Sequence, residues 1–189
     1  MPQSRIDDVV AGALAWTEVD LIDIDDSSAR PLRDALEEFG IRVHYHPVGQ
    51  PRHIVAALGS DRQVAPFAIL GCHGDDGQIL LPELGEPIAS EQPFTGLMGA
   101  DEVRRHLRLT GSFVVSIGCE TGSPELADAF LDAGAAGYFA PQEAPDGHAA
   151  FLVAALFFYE LTAGRTVAEA AERARGYDAA TSTWRLWPR

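Results

Sequence analysis

The chain has 189 residues, 47% of them apolar and 22% charged, and carries a formal net charge of −14. That length and apolar content supply one well-buried core and are awkward for two, and the composition excludes global disorder. The acidic balance argues against nucleic acid or an anionic membrane as partner; it serves solubility first and mildly favours basic ligands.

Apolar runs alternate with helical patterns along the chain. Val19 to Ile24 reads as a first strand. Ser28 to Phe39 reads as a helix, with Ser28 as cap, Pro31 in the first turn and Gly40 as stop. Ile41 to His46 is a second strand and Arg52 to Leu58 a short helix. Pro66 to Gly71 carries no charge, as expected of a central strand in a parallel sheet. Gly74 to Gly99 is rich in Gly, Pro and turn residues, and within it Gln78 to Leu81 fits a small hairpin strand.

Ala100 to Leu107 follows as a helix and Phe113 to Ile117 as a fourth strand. Ser123 suits a cap, Pro124 the first helical position and Gly134 the helix end. Ala136 to Ala140 is a fifth strand. Asp146 to Ala163 is a long, nearly all-apolar helix packed on several sides. Thr166 to Glu169 forms a capping box that opens a last helix, and Thr181 to Trp187 alternates as an edge strand. Strands alternating with helices predict one α/β domain over residues 1–189, with a mostly parallel sheet.

Two strand ends carry the chemistry. Cys72-His73-Gly74 follows the third strand, and Cys119-Glu120-Thr121-Gly122 follows the fourth. Ligands gather at the carboxyl ends of strands in open α/β sheets, so adjacent strands here bring an imidazole and a thiol to one edge. His73 is the candidate base and Cys119 the candidate nucleophile. The helix opening near Ser123 directs its positive end at the loop, which lowers a thiol pKa. Gly118 and Gly122 are expected to let the backbone turn tightly. The N–H groups of Gly74 and Cys119 are candidates for an oxyanion hole. Either residue alone reads more readily as packing or as a satisfied polar group; the pairing is what points to catalysis.

Other thiol and nucleotide readings fit less well. A nucleophile elbow needs Gly two residues before the nucleophile, where Ile117 stands. A phosphate-binding thiol loop needs Arg six residues on, where Glu125 stands. No Walker or dinucleotide glycine pattern follows any predicted strand.

These segments resemble the CHAT-domain branch of the caspase-like (clan CD) cysteine peptidases. The likeness runs from about Pro66 to Ala174 and centres on LTGSFVVSIGCETG, Leu109 to Gly122. GADEVRRHLRL precedes it and CHGDDGQILLPELG stands further upstream. ELADAFLDAGAAGYFAP and AAFLVAALFFYELTAGRTVAEAAERA follow in the family's order. The resemblance implies a three-layer α/β/α sandwich on a caspase-like sheet of about six strands, with His73 and Cys119 as a catalytic dyad. The implied activity is that of a cysteine endopeptidase acting on peptide or protein substrates, without metal or other cofactor.

The chain departs from the family at Ile117, where Ser is frequent, and at Pro141-Gln142-Glu143, which replaces a Ser-Leu-Trp stretch. Substrate preference is therefore not carried over. Glu143, Asp25 and Asp26 are candidates to bind a basic side chain, against a reading of all three as surface acids. The alternatives to a peptidase are a non-catalytic interaction domain working with a separately encoded partner, and a small-molecule thiol hydrolase on a flavodoxin-like sheet.

Cys72, pointing to the opposite face from His73, is expected to be buried packing. His44 and His46 share a strand face but lack further ligands for a metal. Asp75 and Asp76 fit a turn, with calcium binding as a family analogy. Trp184 and Trp187 either close the core or dock another subunit. Met1 to Ile6 is polar and Asp7-Asp8 interrupts any apolar stretch, so no secretory leader is expected. Ala149 to Tyr159, the longest apolar run, falls short of the ~20 residues that span a bilayer. A cytoplasmic protein with reduced thiols is the expectation.

Overall fold

The computed structural model describes residues 18–59, 62–145 and 148–189. The expected leader-free N-terminus and the Asp146 helix start lie outside these residues. A six-stranded sheet forms the middle layer, in the order β2-β1-β3-β7-β8-β9. Its strands are β1 (Glu18–Ile24), β2 (Arg42–Pro47), β3 (Phe67–Cys72), β7 (Phe113–Ser116), β8 (Gly137–Pro141) and β9 (Trp184–Pro188). All neighbours pair in parallel except β8 and β9; the edge strand expected from Thr181 begins only at Trp184, after a 3-10 turn at Thr181–Thr183, and closes the sheet antiparallel.

The period-2 alternation divides two cores. Ile22, Ile24, Ala68, Leu70, Val114 and Tyr138 face one layer. There they meet α2 (Pro51–Leu58), α3 (Ala100–His106) and α4 (Pro124–Asp132). Val19, Leu21, Phe67, Ile69, Phe113, Val115 and Phe139 face the other. That layer holds α1 (Ala29–Glu38), α5 (Ala149–Thr162) and α6 (Val167–Arg175). The result is the expected three-layer sandwich, with both sheet faces covered. Phe157 stacks near Phe113 and Phe139 with centroids 5.8 and 5.3 Å away, which explains why α5 is apolar on several sides. Trp184 is buried in this core, and Trp187 lies over Tyr138 on the opposite face. Among the described residues, no helix is long and apolar enough to cross a membrane.

Local signals acted largely as read. Ser123 Oγ accepts the Leu126 N–H at 3.2 Å, and Thr166 and Glu169 close their capping box. Ser28 sits at the cap position of α1 without making a side-chain cap bond. The Asp26 carboxylate takes the Ser28 N–H instead, at 2.7 Å. The segment after β3 is more ordered than a lone hairpin strand. It forms a second sheet, β4 (Gly74–Asp75), β5 (Gln78–Leu80) and β6 (Leu97–Met98), all antiparallel. Asp76 and Gly77, at φ +44° and +72°, make the two-residue turn between β4 and β5. Both values match a type I′ hairpin, for which Asp-Gly is a preferred pair.

The topology places a crevice at one point. From β1 the chain leaves through α1 on one face and joins β2 at the sheet's edge. From β3 it leaves through the small sheet and α3 on the other face and continues to β7. The two departing loops diverge above β1 and β3, the switch point where ligand sites form in open α/β sheets.

Candidate active site

His73 is the first residue past β3 and is exposed. Its ring Nε2 lies 3.1 Å from the Asp25 carbonyl oxygen, across the switch point. A carbonyl can only accept, so the neutral ring keeps its proton on Nε2 and leaves the Nδ1 lone pair free to take one. Asp25 holds this position at φ +57°, a left-handed conformation that non-glycine residues adopt at some cost. The backbone of His73 is fixed as well: its carbonyl accepts the Leu80 N–H at 3.0 Å. That bond makes His73 and Leu80 a hydrogen-bonded pair of the hairpin. Gly74, opposite Ile79, then falls in a non-hydrogen-bonded position, and its N–H points away from β5.

Cys119 is half-buried at the tip of the turn after β7. The two segments touch. A Cβ on Gly74 would strike the Cys119 carbonyl oxygen and stand 2.6 Å from Thr121 Cγ2. His73, Gly74 and Cys119 are therefore brought to one edge. Among the described residues, no hydrogen bond joins the His73 ring to the Cys119 sulfur.

A buried polar network beneath the turn fixes its shape. Ser116 Oγ and Thr121 Oγ1 lie 2.7 Å apart. Thr121 Oγ1 donates to the Gly118 carbonyl at 2.8 Å, and the Gly118 N–H donates to Ser116 Oγ at 3.3 Å. The Tyr138 hydroxyl donates to the Thr121 carbonyl at 2.9 Å, and Trp184 Nε1–H to the Ser116 carbonyl at 3.2 Å. Ser116, Thr121 and Tyr138 are fully buried, so each bond is protected from competing water. The Glu120 N–H donates to the Glu143 carbonyl at 3.3 Å and the Gly122 N–H to that of Pro141 at 2.7 Å. The Cys119 N–H takes no part in these turn bonds.

Gly118 and Gly122 have a different role from the one expected. Neither adopts positive φ. Gly118 packs on Cys72, whose sulfur would lie 2.6 Å from an added Cβ, and Gly122 packs equally closely on Pro141. Cys72 is buried as expected, and desolvation holds its thiol at about 12, inert as a nucleophile.

The electrostatics of Cys119 run against the sequence expectation. Its thiol pKa is raised, first by burial and then by the carboxylates of Glu120 and Asp26, with its own N–H opposing. Burial and these carboxylates disfavour the thiolate.

The candidate recognition acids are split. Asp25 and Asp26 line a depression of about 360 Å³ with Asp23, Ser27 and Arg30, on the α1 side of the site. Asp25 is exposed there, whereas the Asp26 carboxylate already accepts the Ser28 N–H. Glu143 is exposed on the loop after β8, tied by its carbonyl to Glu120. On the α4 side a groove of about 560 Å³ runs between the small sheet and the α4 N-terminus. Asp76, Glu120, Glu125, Gln78 and Gln142 line it, and the sequence reading assigned it nothing.

Residues weighed for metals have other partners. His44 Nε2 lies 3.2 Å from Glu18, and His46 Nε2 lies 2.7 Å from Asp20. Among the described residues no three such side chains converge to hold an ion.

No family model and no curated protein matches the sequence. Solved structures match the fold. An Arg-specific cysteine proteinase, gingipain R, superposes with a TM-score of 0.61 at 14% identity, covering 92% of this chain. A gingipain complex of pro- and mature domains from Porphyromonas gingivalis gives 0.57 at 12% identity and 92% coverage. Separase of Saccharomyces cerevisiae, solved with securin, gives 0.56 at 11% identity and 91% coverage. The chain spans 46% of the length of gingipain R and 12% of that of separase. The sheet order, the layers and these superpositions together establish a caspase-like α/β fold.

Proposed function

We propose that the protein is a cysteine endopeptidase in which His73 and Cys119 form the dyad. The observation that carries this reading is the contact of the two strand-end segments, with the Gly74 backbone seated against Cys119. His73 Nδ1 takes the thiol proton, and the sulfur attacks a peptide carbonyl. The N–H groups of Gly74 and Cys119 receive the oxyanion. His73 then gives its proton to the leaving amine. Water, deprotonated by His73, cleaves the acyl-enzyme and restores the thiol. Proton transfer within the attack fits a sulfur whose surroundings disfavour the thiolate. Asp25, Asp26 and Glu143 are the proposed contacts for a basic side chain, of which Asp25 and Glu143 are the more available because they are exposed.

Profiling the purified protein on a diverse peptide library, beside Cys119→Ala, tests this. Cleavage by wild type alone, enriched at basic residues, is the expected result. A second reading, a caspase-like interaction domain without turnover, is favoured by the raised thiol pKa and by the missing bond between ring and sulfur. A folded wild type that cleaves nothing in the library selects it.

A further inference from the structure

The peptidase reading needs His73 and Cys119 held in register, although they sit on separate segments. His73 opens the β4–β5 hairpin, and Cys119 lies on the turn after β7. At the hairpin's base the contact is steric, Gly74 against Cys119 and Thr121. At its tip Gly77 packs on Ser123, where an added Cβ would lie 2.7 Å from Oγ. Between these contacts, among the described residues, a hydrogen bond crosses the seam: the Asp76 N–H donates to Glu120 Oε2 at 3.1 Å.

Glu120 is an unexpected residue for its backbone. It stands at φ +56°, a region that glycine enters freely and glutamate does not. Its side chain also brings a negative charge beside the sulfur, which disfavours the thiolate. Both features work against the nucleophile. What the side chain supplies in return is the bond to the hairpin. The donor, Asp76, is itself held at φ +44° by the tight turn, so its N–H has a fixed direction. From Asp76 the ladder pairs Asp75 with Gln78 and Gly74 with Ile79, and closes with the Leu80 N–H on the His73 carbonyl. A tether at the tip therefore reaches His73 through a rigid two-stranded element.

We propose that Glu120 is a positioning residue: its carboxylate latches the Asp76 N–H and holds the hairpin that carries His73 against the turn that carries Cys119. The role rests on the dyad reading above.

Two variants isolate the latch. Glu120→Gly removes the carboxylate and suits the positive φ, so strain does not confound it. Glu120→Gln keeps an acceptor oxygen and removes the charge. For Glu120→Gly, kcat is expected to fall about tenfold with KM held within about twofold, since the lost geometry serves the chemical step. Glu120→Gln is expected to stay within about threefold of wild type in kcat, because an amide oxygen still accepts the bond. Amide hydrogen exchange of residues 74–80 gives a readout free of turnover. Exchange there is expected to quicken about tenfold in Glu120→Gly and to match wild type in Glu120→Gln. Unchanged exchange in Glu120→Gly overturns the latch, as does an equal loss of kcat in both variants. Quickened exchange in Glu120→Gly, with no turnover by wild type, upholds the latch and overturns the peptidase reading.

Discussion

Replacing Thr121 by valine tests how the turn that carries Cys119 is held. The side chain keeps its shape and loses one hydroxyl, which serves Ser116 at 2.7 Å and the Gly118 carbonyl at 2.8 Å. Water does not reach the site, since Thr121 and Ser116 are both fully buried. A buried polar group left without its partner costs about 1–3 kcal/mol. The Gly118 carbonyl keeps the Thr121 N–H at 3.4 Å, and Ser116 Oγ still accepts the Gly118 N–H at 3.3 Å, but the Ser116 hydroxyl proton loses its acceptor. The loss should therefore be about 1–3 kcal/mol, a sizeable share of the about 5–15 kcal/mol that stabilises a domain. Urea unfolding measures it, as a lower midpoint at constant slope. Ser116→Ala should cost less in the Thr121→Val background than in wild type, by about 1 kcal/mol, because the two hydroxyls are one another's partners. A Thr121→Val midpoint indistinguishable from wild type refutes the network, as does strict additivity of the two substitutions.

Three further outcomes follow from the geometry. In a Cys72→Ala background, the iodoacetamide alkylation rate of Cys119 should rise with pH through a midpoint above that of a free cysteine. Asp26→Asn should lower that midpoint, since losing a nearby negative charge favours the thiolate; an unmoved or higher midpoint contradicts the electrostatic picture. Gly74→Ala places a methyl against the Cys119 carbonyl and Thr121, so turnover should fall at least about tenfold with a lower melting temperature; full activity would show that the seam is loose. Asp20 is fully buried, yet its pKa is lowered: burial pushes it up, and bonds from His46, Arg62 and the Ala65 N–H more than reverse this. Its folded pKa lies below the unfolded one, so the stability it contributes is present above the ordinary carboxylate range and lost as pH falls through the depressed value. Between about pH 6 and pH 3 the wild-type urea midpoint should drop more steeply than that of Asp20→Asn, and parallel curves would contradict the assignment.

The sequence disclosed what depends on local pattern. The charge-free run in β3 marked a strand covered on both faces, and Ser123-Pro124 with Gly134 marked both ends of α4, because caps and proline act within one turn of chain. The second sheet was legible only in part. The Asp76-Gly77 turn has a local signature, but Leu97–Met98 joins β5 from far along the chain and is too short to show a period. His73 and Cys119 could be placed at one edge because the carboxyl ends of parallel strands share it. The network under the turn was not legible. Ser116, Thr121 and Tyr138 meet only because β7 lies beside β8, and nothing near Tyr138 in sequence marks its hydroxyl as a support for Cys119. The direction of the Cys119 pKa was misjudged for a related reason. The helix dipole is a local feature, whereas burial and the approach of Asp26 arise from packing.

The most direct test of the dyad is covalent. Wild type, His73→Ala and Cys119→Ala are exposed to a peptidyl acyloxymethyl ketone with a basic residue beside the warhead, and adducts are mapped by mass spectrometry. Rapid modification of Cys119 in wild type, slowed by at least about a hundredfold in His73→Ala and absent from Cys119→Ala, is the predicted result. Equal modification of wild type and His73→Ala, or an adduct on Cys72 instead, would contradict it.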